Sequence, residues 1–170
     1  MASHYGSLAN AVTYFNTRLH TSAWDDASNT DRTKALYMAT RYIDRLNYKG
    51  QKSAVYSLVA ADAGATDAEI RVAEASQELE FPRDTDTTVP ADIETACYEI
   101  VLALLDGVDP DTELENLGVS TYSYAGVKTA YNRDQQPIEH LIHGIPSALA
   151  WRYLKPFLRD GRDYALVRVN

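Results

Sequence analysis

The sequence has few of the features that mark secreted proteins, membrane proteins or most enzymes. A single cysteine, Cys97, excludes an internal disulfide framework and fits a reducing compartment. No apolar run approaches the roughly 20 residues that are needed to cross a bilayer. The start, MASHYGSLANAV, lacks a basic segment followed by an apolar one, so we expect no signal peptide. Because no apolar run of that length is present, we expect no membrane partner. The length of 170 residues suits one domain, or one domain with an arm.

Catalytic motifs are also missing. The sequence contains no G-x-S-x-G, Walker A or G-x-G-x-x-G pattern. Cys97 lies on the apolar stripe of a predicted helix, where a thiol is usually a small core side chain. The eighteen carboxylates of residues 54–150 make chance pairs so common that no pair stands out as a general acid and base. The sequence therefore predicts no enzyme, no catalytic residue and no cofactor.

The nearest approach to a metal-binding pattern is EHLIH at residues 139–143. Its two histidines, His140 and His143, can share one face of a helix, but a stable zinc site needs three or four ligands. The HExxH pattern of zinc proteases is absent, because Glu139 precedes both histidines. We therefore predict no metal site and keep a small metal-dependent enzyme built on His140 and His143 as an alternative.

Positive charge is scarce in the middle of the chain. Residues 54–150 carry four Lys/Arg and eighteen Asp/Glu, a net charge of −14, whereas residues 1–53 and 151–170 each carry a net +3. The acidic middle repels phosphate, which argues against general affinity for nucleic acid. Opposite signs on different parts of one subunit favour head-to-tail contacts that close into a ring. The other interpretation is an uneven but functionless charge on a solvated surface.

Helical periodicity is the main structural signal. Six helices are predicted: 8–19, 29–46, 66 to before Pro82, 90–107, 109–118 and 146–158. The predicted caps are Ser7 for the first, Asn29 or Thr30 for the second and a capping box at Thr66–Glu69 for the third, and Gly107 stops the fourth. The helix at 90–107 is expected to be the central core helix, because it has the clearest apolar stripe: Ile93, Ala96, Cys97, Ile100, Val101, Leu104 and Leu105. Residues 53–65 are ambiguous between helix and loop. The predicted fold is a mainly α, small helical bundle.

Two segments break the helical pattern. Residues 119–131 (VSTYSYAGVKTAY) are rich in Tyr, Thr and Val around Gly126, which predicts a β-hairpin or an extended loop that faces a partner. Residues 162–170 (RDYALVRVN) form a strand-capable tail, and a single terminal strand needs a sheet edge to pair with.

Basic and aromatic residues alternate in residues 151–162. Trp151, Arg152, Lys155 and Phe157 have the composition of a platform for single-stranded DNA. The same composition is typical of a protein interface. Trp151, Leu154 and Leu158 lie at helical spacing, which favours a third interpretation, in which they belong to the core.

Three segments carry a resemblance to a known family: residues 24–50 (WDDASNTDRTKALYMATRYIDRLNYKG), 79–90 (LEFPRDTDTTVP) and 150–158 (AWRYLKPFL). Two shorter stretches, LLDGVDP at 104–110 and GIP at 144–146, lie between them in the same order. Together they resemble the head–tail connector, or neck adaptor, proteins of tailed bacteriophages. Members of this family are often labelled DnaT-like single-stranded-DNA-binding proteins, so binding of single-stranded DNA is the alternative function.

The resemblance implies a helical bundle with a protruding hairpin or loop and a C-terminal arm. It implies a homo-oligomeric ring of twelve copies between the portal protein and the tail or nozzle proteins, without cofactor or catalysis. Double-stranded DNA would pass through the ring without specific binding. The implied location is the neck of the virion, reached from the host cytoplasm during assembly.

These implications divide the chain into an adaptor domain, 1–158, with an insertion at 119–131, and an arm, 159–170. The expected portal contacts are those of the arm: Arg159, Arg162, Tyr164, Leu166, Val167, Arg168 and Val169. The expected contacts on the tail side are those of the insertion: Tyr122, Tyr124, Lys128 and Tyr131.

Overall fold

The computed structural model describes residues 3–117, 121–124, 127–130 and 138–159, and for residues 117, 121–124 and 127–130 it describes the backbone alone. The chain is mainly helical, as predicted. Within the described residues no helix is long and apolar enough to span a bilayer. The elements are α1 (Leu8–Phe15), α2 (Ser22–Asp26), α3 (Asn29–Asp44), α4 (Ser53–Ala61), α5 (Asp67–Ser76), α6 (Ala91–Leu105), α7 (Pro110–Leu117), β1 (Thr121–Tyr124), β2 (Val127–Ala130), α8 (Glu139–Ile142), α9 (Ala148–Leu154) and a 3-10 turn (Lys155–Phe157).

Side-chain caps begin several helices. Ser7 caps α1 by accepting a hydrogen bond from the Asn10 amide at 3.1 Å, as predicted. The cap of α3 is Ser28, whereas Asn29 or Thr30 was predicted. Helix α1 ends at Phe15, which is earlier than the predicted residue 19. Arg18, beyond the end of the helix, pairs with the Glu99 carboxylate of α6.

Helix α6 is the central core helix, as predicted. It packs between α3 on one side and α9 on the other. The buried apolar residues of the three helices form one cluster: Ala35, Leu36, Ala39 and Ile43 of α3, Ile93, Ala96, Cys97, Ile100 and Val101 of α6, and Ala150, Trp151 and Leu154 of α9. The positive φ of Gly107, +82°, stops the chain from continuing as a helix after α6.

The three segments that carry the family resemblance meet in space around Phe81. This ring packs edge-on against Tyr48, at 4.7 Å between ring centroids, and against Phe157, at 5.5 Å. Tyr48 also forms an isolated antiparallel bridge with Leu158. Residues from all three segments therefore contact one another in one part of the core.

Helices α4 and α5 form a hairpin at the side of this core. The ambiguous segment 53–65 is helical from Ser53 to Ala61, and Thr66 opens α5 with the predicted capping box. Val55 is the only buried residue of α4, and α5 has none. The two helices pack mainly against each other.

The last helix is shorter than the predicted span 146–158. Ser147 caps it by accepting a hydrogen bond from the Ala150 amide, and α9 ends at Leu154. The turn that follows is 3-10 rather than α-helical, because Pro156 has no amide hydrogen to donate. Trp151 and Leu154 are buried and Leu158 is partly buried, which agrees with a core role for this stripe.

Strands β1 and β2 pair in antiparallel register, from Thr121 opposite Ala130 to Tyr124 opposite Val127. The two residues between them, 125–126, lie outside the described part of the chain. A hairpin that protrudes from the bundle therefore stays a prediction. The proposed boundary between a domain at 1–158 and an arm at 159–170 also stays a prediction, because residues 160–170 lie outside the described residues.

Candidate functional site: a basic groove beside the last helix

A groove of about 780 Å³ opens between the end of α3, helix α8 and the end of α9. Backbone hydrogen bonds hold two of its walls together. The Lys49 amide donates to the Phe157 carbonyl at 2.9 Å, and the Arg159 amide donates to the Asn47 carbonyl at 3.0 Å. The groove therefore lies at the point where the adaptor domain would pass into the predicted arm.

The charge of the groove is predominantly positive. Arg45 and Lys49 come from the segment that follows α3, and Lys155 and Arg159 come from the segment that follows α9. Among the described lining residues the one carboxylate is that of Glu139, which pairs with Lys155 at 2.7 Å. This hydrogen bond lowers the pKa of Glu139 below its usual value, so the carboxylate stays ionised. Because both partners are more than half exposed, their pair contributes little to stability.

Trp151 forms the aromatic floor of the groove. Its ring is buried, and His143 stacks on it with ring centroids 4.8 Å apart and planes 17° apart. No acceptor in the described part of the chain has hydrogen-bond geometry at the indole Nε1. Trp151 nevertheless contributes to the lowered pKa of Glu139, so the two side chains are close.

The expected portal contacts are described only at their first residue. Arg159 is exposed and lines the groove. The other six residues expected there lie outside the described residues: Arg162, Tyr164, Leu166, Val167, Arg168 and Val169. The structure therefore describes only Arg159 of this set, and the portal interface stays a prediction.

The expected tail-side contacts are described only in part. Tyr122 and Tyr124 lie in β1 and Lys128 lies in β2, where the backbone alone is described. Tyr131 lies outside the described residues. The tail-side interface stays a prediction.

The residues of the alternative DNA-binding platform do not share one surface. Arg152 and Lys155 are exposed, as such a platform requires. Trp151 is buried, with His143 stacked on it, and Phe157 is half-buried against Phe81. Stacking of a base on either aromatic ring would first require these contacts to open.

The remaining candidate residues for chemistry are His140, His143 and Cys97. Burial lowers the pKa of His140, whereas His143 is exposed and stacked on Trp151. Within residues 3–117 and 138–159 there is no group of three or more His, Cys, Asp or Glu residues arranged to hold a metal ion. Cys97 is fully buried, as predicted, and burial raises the pKa of its thiol to about 12. A thiol with this pKa is protonated and unreactive at neutral pH.

Sequence reasoning missed Arg45 and Lys49 as members of the groove. They lie more than 100 positions before Lys155 and Arg159, and no local pattern connects the two pairs. The only available signal was the net positive charge at both ends of the chain. That signal predicts basic surfaces, but it does not predict that they adjoin.

Comparison with known proteins gives no relative. No family model matches the chain, and neither a curated protein nor a solved structure matches it.

Proposed function

We propose that the chain is a structural adaptor of the neck of a tailed bacteriophage. In this role it forms a ring between the portal and the tail and extends the DNA channel. The basic groove supports the proposal most directly. Arg159, the first residue of the predicted arm, is hydrogen-bonded to the end of α3 beside Arg45 and Lys49. A portal that docks the arm would meet this positive surface at the same time.

The clustering of the three resemblance segments is the second support. They lie far apart in sequence, and Phe81 joins them through contacts with Tyr48 and Phe157. Residues that recur together in a family for structural reasons are expected to contact one another in this way. In the proposed adaptor, these segments hold the body of the adaptor and the start of its arm in a fixed position relative to each other.

The charge of the helices fits passage of DNA. Helix α7 carries Asp111, Glu113 and Glu115 and no cation, and all three side chains are exposed. A wall of this sign repels the phosphate backbone and lets double-stranded DNA slide without binding. In the proposed ring, such acidic helices face the channel and the basic groove faces the portal.

Truncation after Leu158 tests the proposal. The variant lacks the arm, and we expect it to fold, because every residue of the core cluster precedes position 159. We expect it to lose at least tenfold in affinity for the portal protein of the same virus, as measured by analytical ultracentrifugation of mixtures. A truncated protein that is unfolded by circular dichroism would show that 159–170 belongs to the domain. A truncated protein that binds the portal with unchanged affinity would show that the arm is not part of the interface.

Binding of single-stranded DNA is the second candidate, and the four cations of the groove favour it. If these four side chains neutralised DNA phosphates, counterions would be released from the DNA, which would make such binding strongly dependent on salt. An electrophoretic shift that is present at low salt, disappears at moderate salt and is weakened by Arg45→Ala or Lys155→Ala would support it. The adaptor predicts no shift, because the chain carries a net charge of −8.

A further inference from the structure

Helix α5 has an apolar face without a partner among the described residues. The helix has ten residues, none is buried, and it packs mainly against α4. Between the two helices runs a shallow furrow of about 410 Å³, which Leu58, Val72 and Ala73 line. The Val72 side chain is 71% exposed. A helix of this length is marginal in water unless another surface covers its apolar face.

Helix α8 carries two exposed apolar side chains at its ends. Ile138 is the residue before the helix and Ile142 is its last residue, four positions later, and we call this pair the ridge. Their side chains are 42% and 52% exposed. Ile142 also lines the basic groove, so the ridge adjoins the cations Arg45, Lys49, Lys155 and Arg159.

The two surfaces also have opposite charge. Helix α5 carries the exposed carboxylates Asp67, Glu69 and Glu74 and one cation, Arg71. The described lining of the groove beside the ridge carries four cations and one carboxylate. Two different regions of the same chain therefore both expose apolar side chains and have opposite net charge around them.

We infer that the α4–α5 furrow binds a second copy of this chain. In this contact the ridge Ile138–Ile142 of one copy packs in the α4–α5 furrow of the next. The apolar side chains provide the buried centre of the contact, and the charges around it set its orientation. A contact between two different patches is heterologous, so it repeats around a ring or along a chain. The inference deepens the proposed adaptor function, on which it rests, by naming the surfaces that join neighbouring copies.

Cross-linking of cysteine variants tests this contact. Val72→Cys places a thiol in the furrow, and Ile142→Cys places one on the ridge; both side chains are exposed, so neither change should affect folding. A mixture of the two variants is treated with a short bismaleimide at high protein concentration. We expect a covalent dimer at several-fold the yield given by either variant alone. The native Cys97 should not react, because it is fully buried.

Leu19→Cys is the matched control, because Leu19 is 79% exposed and belongs to neither patch. Its mixture with Val72→Cys should give only the background yield. The double variant Val72→Cys/Ile142→Cys should give a ladder of oligomers, as a repeating contact requires. Added salt should lower all specific yields, because it screens the exposed charges. Equal yields in the test and control mixtures, or a yield that salt leaves unchanged, would overturn the inference.

The test separates this inference from the proposed function. If the cross-link is absent while the chain still forms a complex with the portal, the contact between copies is wrong and the adaptor function stands. If the cross-link forms while the chain ignores the portal, the contact stands and the adaptor function fails.

Discussion

At the scale of single residues, Glu99 is a charged side chain that is buried in the core. It lies on α6, is only 2% exposed, and its carboxylate accepts hydrogen bonds from Arg18 Nε at 2.6 Å and Arg18 Nη2 at 2.8 Å. The Tyr14 hydroxyl donates to it at 2.5 Å. Burial and this carboxylate raise the pKa of Tyr14, so the hydroxyl remains a donor over the whole physiological range. Three donors thus offset the cost of burying one charge.

Removal of Arg18 should leave the buried Glu99 carboxylate without its charged partner and so destabilise the fold. We expect Arg18→Met to lower the free energy of unfolding by about 2 kcal/mol, which is less than for a fully buried pair because Arg18 is about a quarter exposed. Glu99→Gln should cost less, since the amide can still accept from Tyr14. Urea denaturation of the two single variants and the double variant gives the coupling energy. If the double variant loses as much free energy of unfolding as the two single variants together, Arg18 and Glu99 do not stabilise the fold as a pair.

The sequence did not predict this pair, and the reason is physical. Glu99 lies off the predicted apolar stripe, and its partner Arg18 lies 81 positions earlier, in a segment that was predicted as helix. Only the packing of α1 on α6 brings the two side chains together. The burial of Cys97, Ile100 and Val101 was predictable, because it depends on the periodicity of one helix.

At the scale of elements, α5 is the least supported helix of the described chain. Its start depends on the capping box: the Thr66 amide donates to Glu69 Oε2 at 2.8 Å, and Thr66 Oγ1 accepts from the Glu69 amide. The Thr66 amide and the Thr66 hydroxyl both donate to the Glu69 carboxylate, and these two hydrogen bonds lower the pKa of Glu69, so the box is complete at neutral pH. The box is lost as pH falls through this lowered pKa, because a protonated carboxyl is a weaker acceptor.

We expect Thr66→Ala to destabilise α5 locally, by about 1 kcal/mol. The amides of residues 67–76 should exchange several-fold faster with deuterium, while the midpoint of global unfolding changes little, because α5 contributes no buried residue to the core. Thr13→Ala, an exposed change within α1, is the control and should leave this exchange unchanged. Unchanged exchange in α5 together with a large loss of global stability would contradict this account.

Element boundaries were predictable where a local cap decides them and not elsewhere. Ser7, Thr66 and Gly107 were identified because a cap or a positive φ depends on adjacent residues. The early end of α1 and the short helix around Trp24 were not predictable. The Trp24 ring packs on Phe15 at 4.4 Å between ring centroids, a tertiary contact that a local pattern does not show.

At the scale of the whole molecule, charge is the property that connects sequence to the proposed role. The net +3 of residues 1–53 and the net +3 of residues 151–170 converge in part on one groove, through Arg45, Lys49, Lys155 and Arg159. Of the acidic middle, Glu139 lies in this groove, and other carboxylates lie on the exposed faces of α5 and α7. In the proposed ring, the portal and a neighbouring copy meet the subunit at adjoining surfaces around the groove, and DNA meets the acidic helices.

The most direct test is the mass of the purified protein, alone and mixed with the portal protein of the same virus, measured by light scattering or native mass spectrometry. The account predicts a stoichiometric ring complex, with equal numbers of adaptor and portal subunits, that forms only in the mixture or becomes much more stable in it. A protein whose mass is the same with and without the portal, and that instead shifts single-stranded DNA, would contradict the adaptor function.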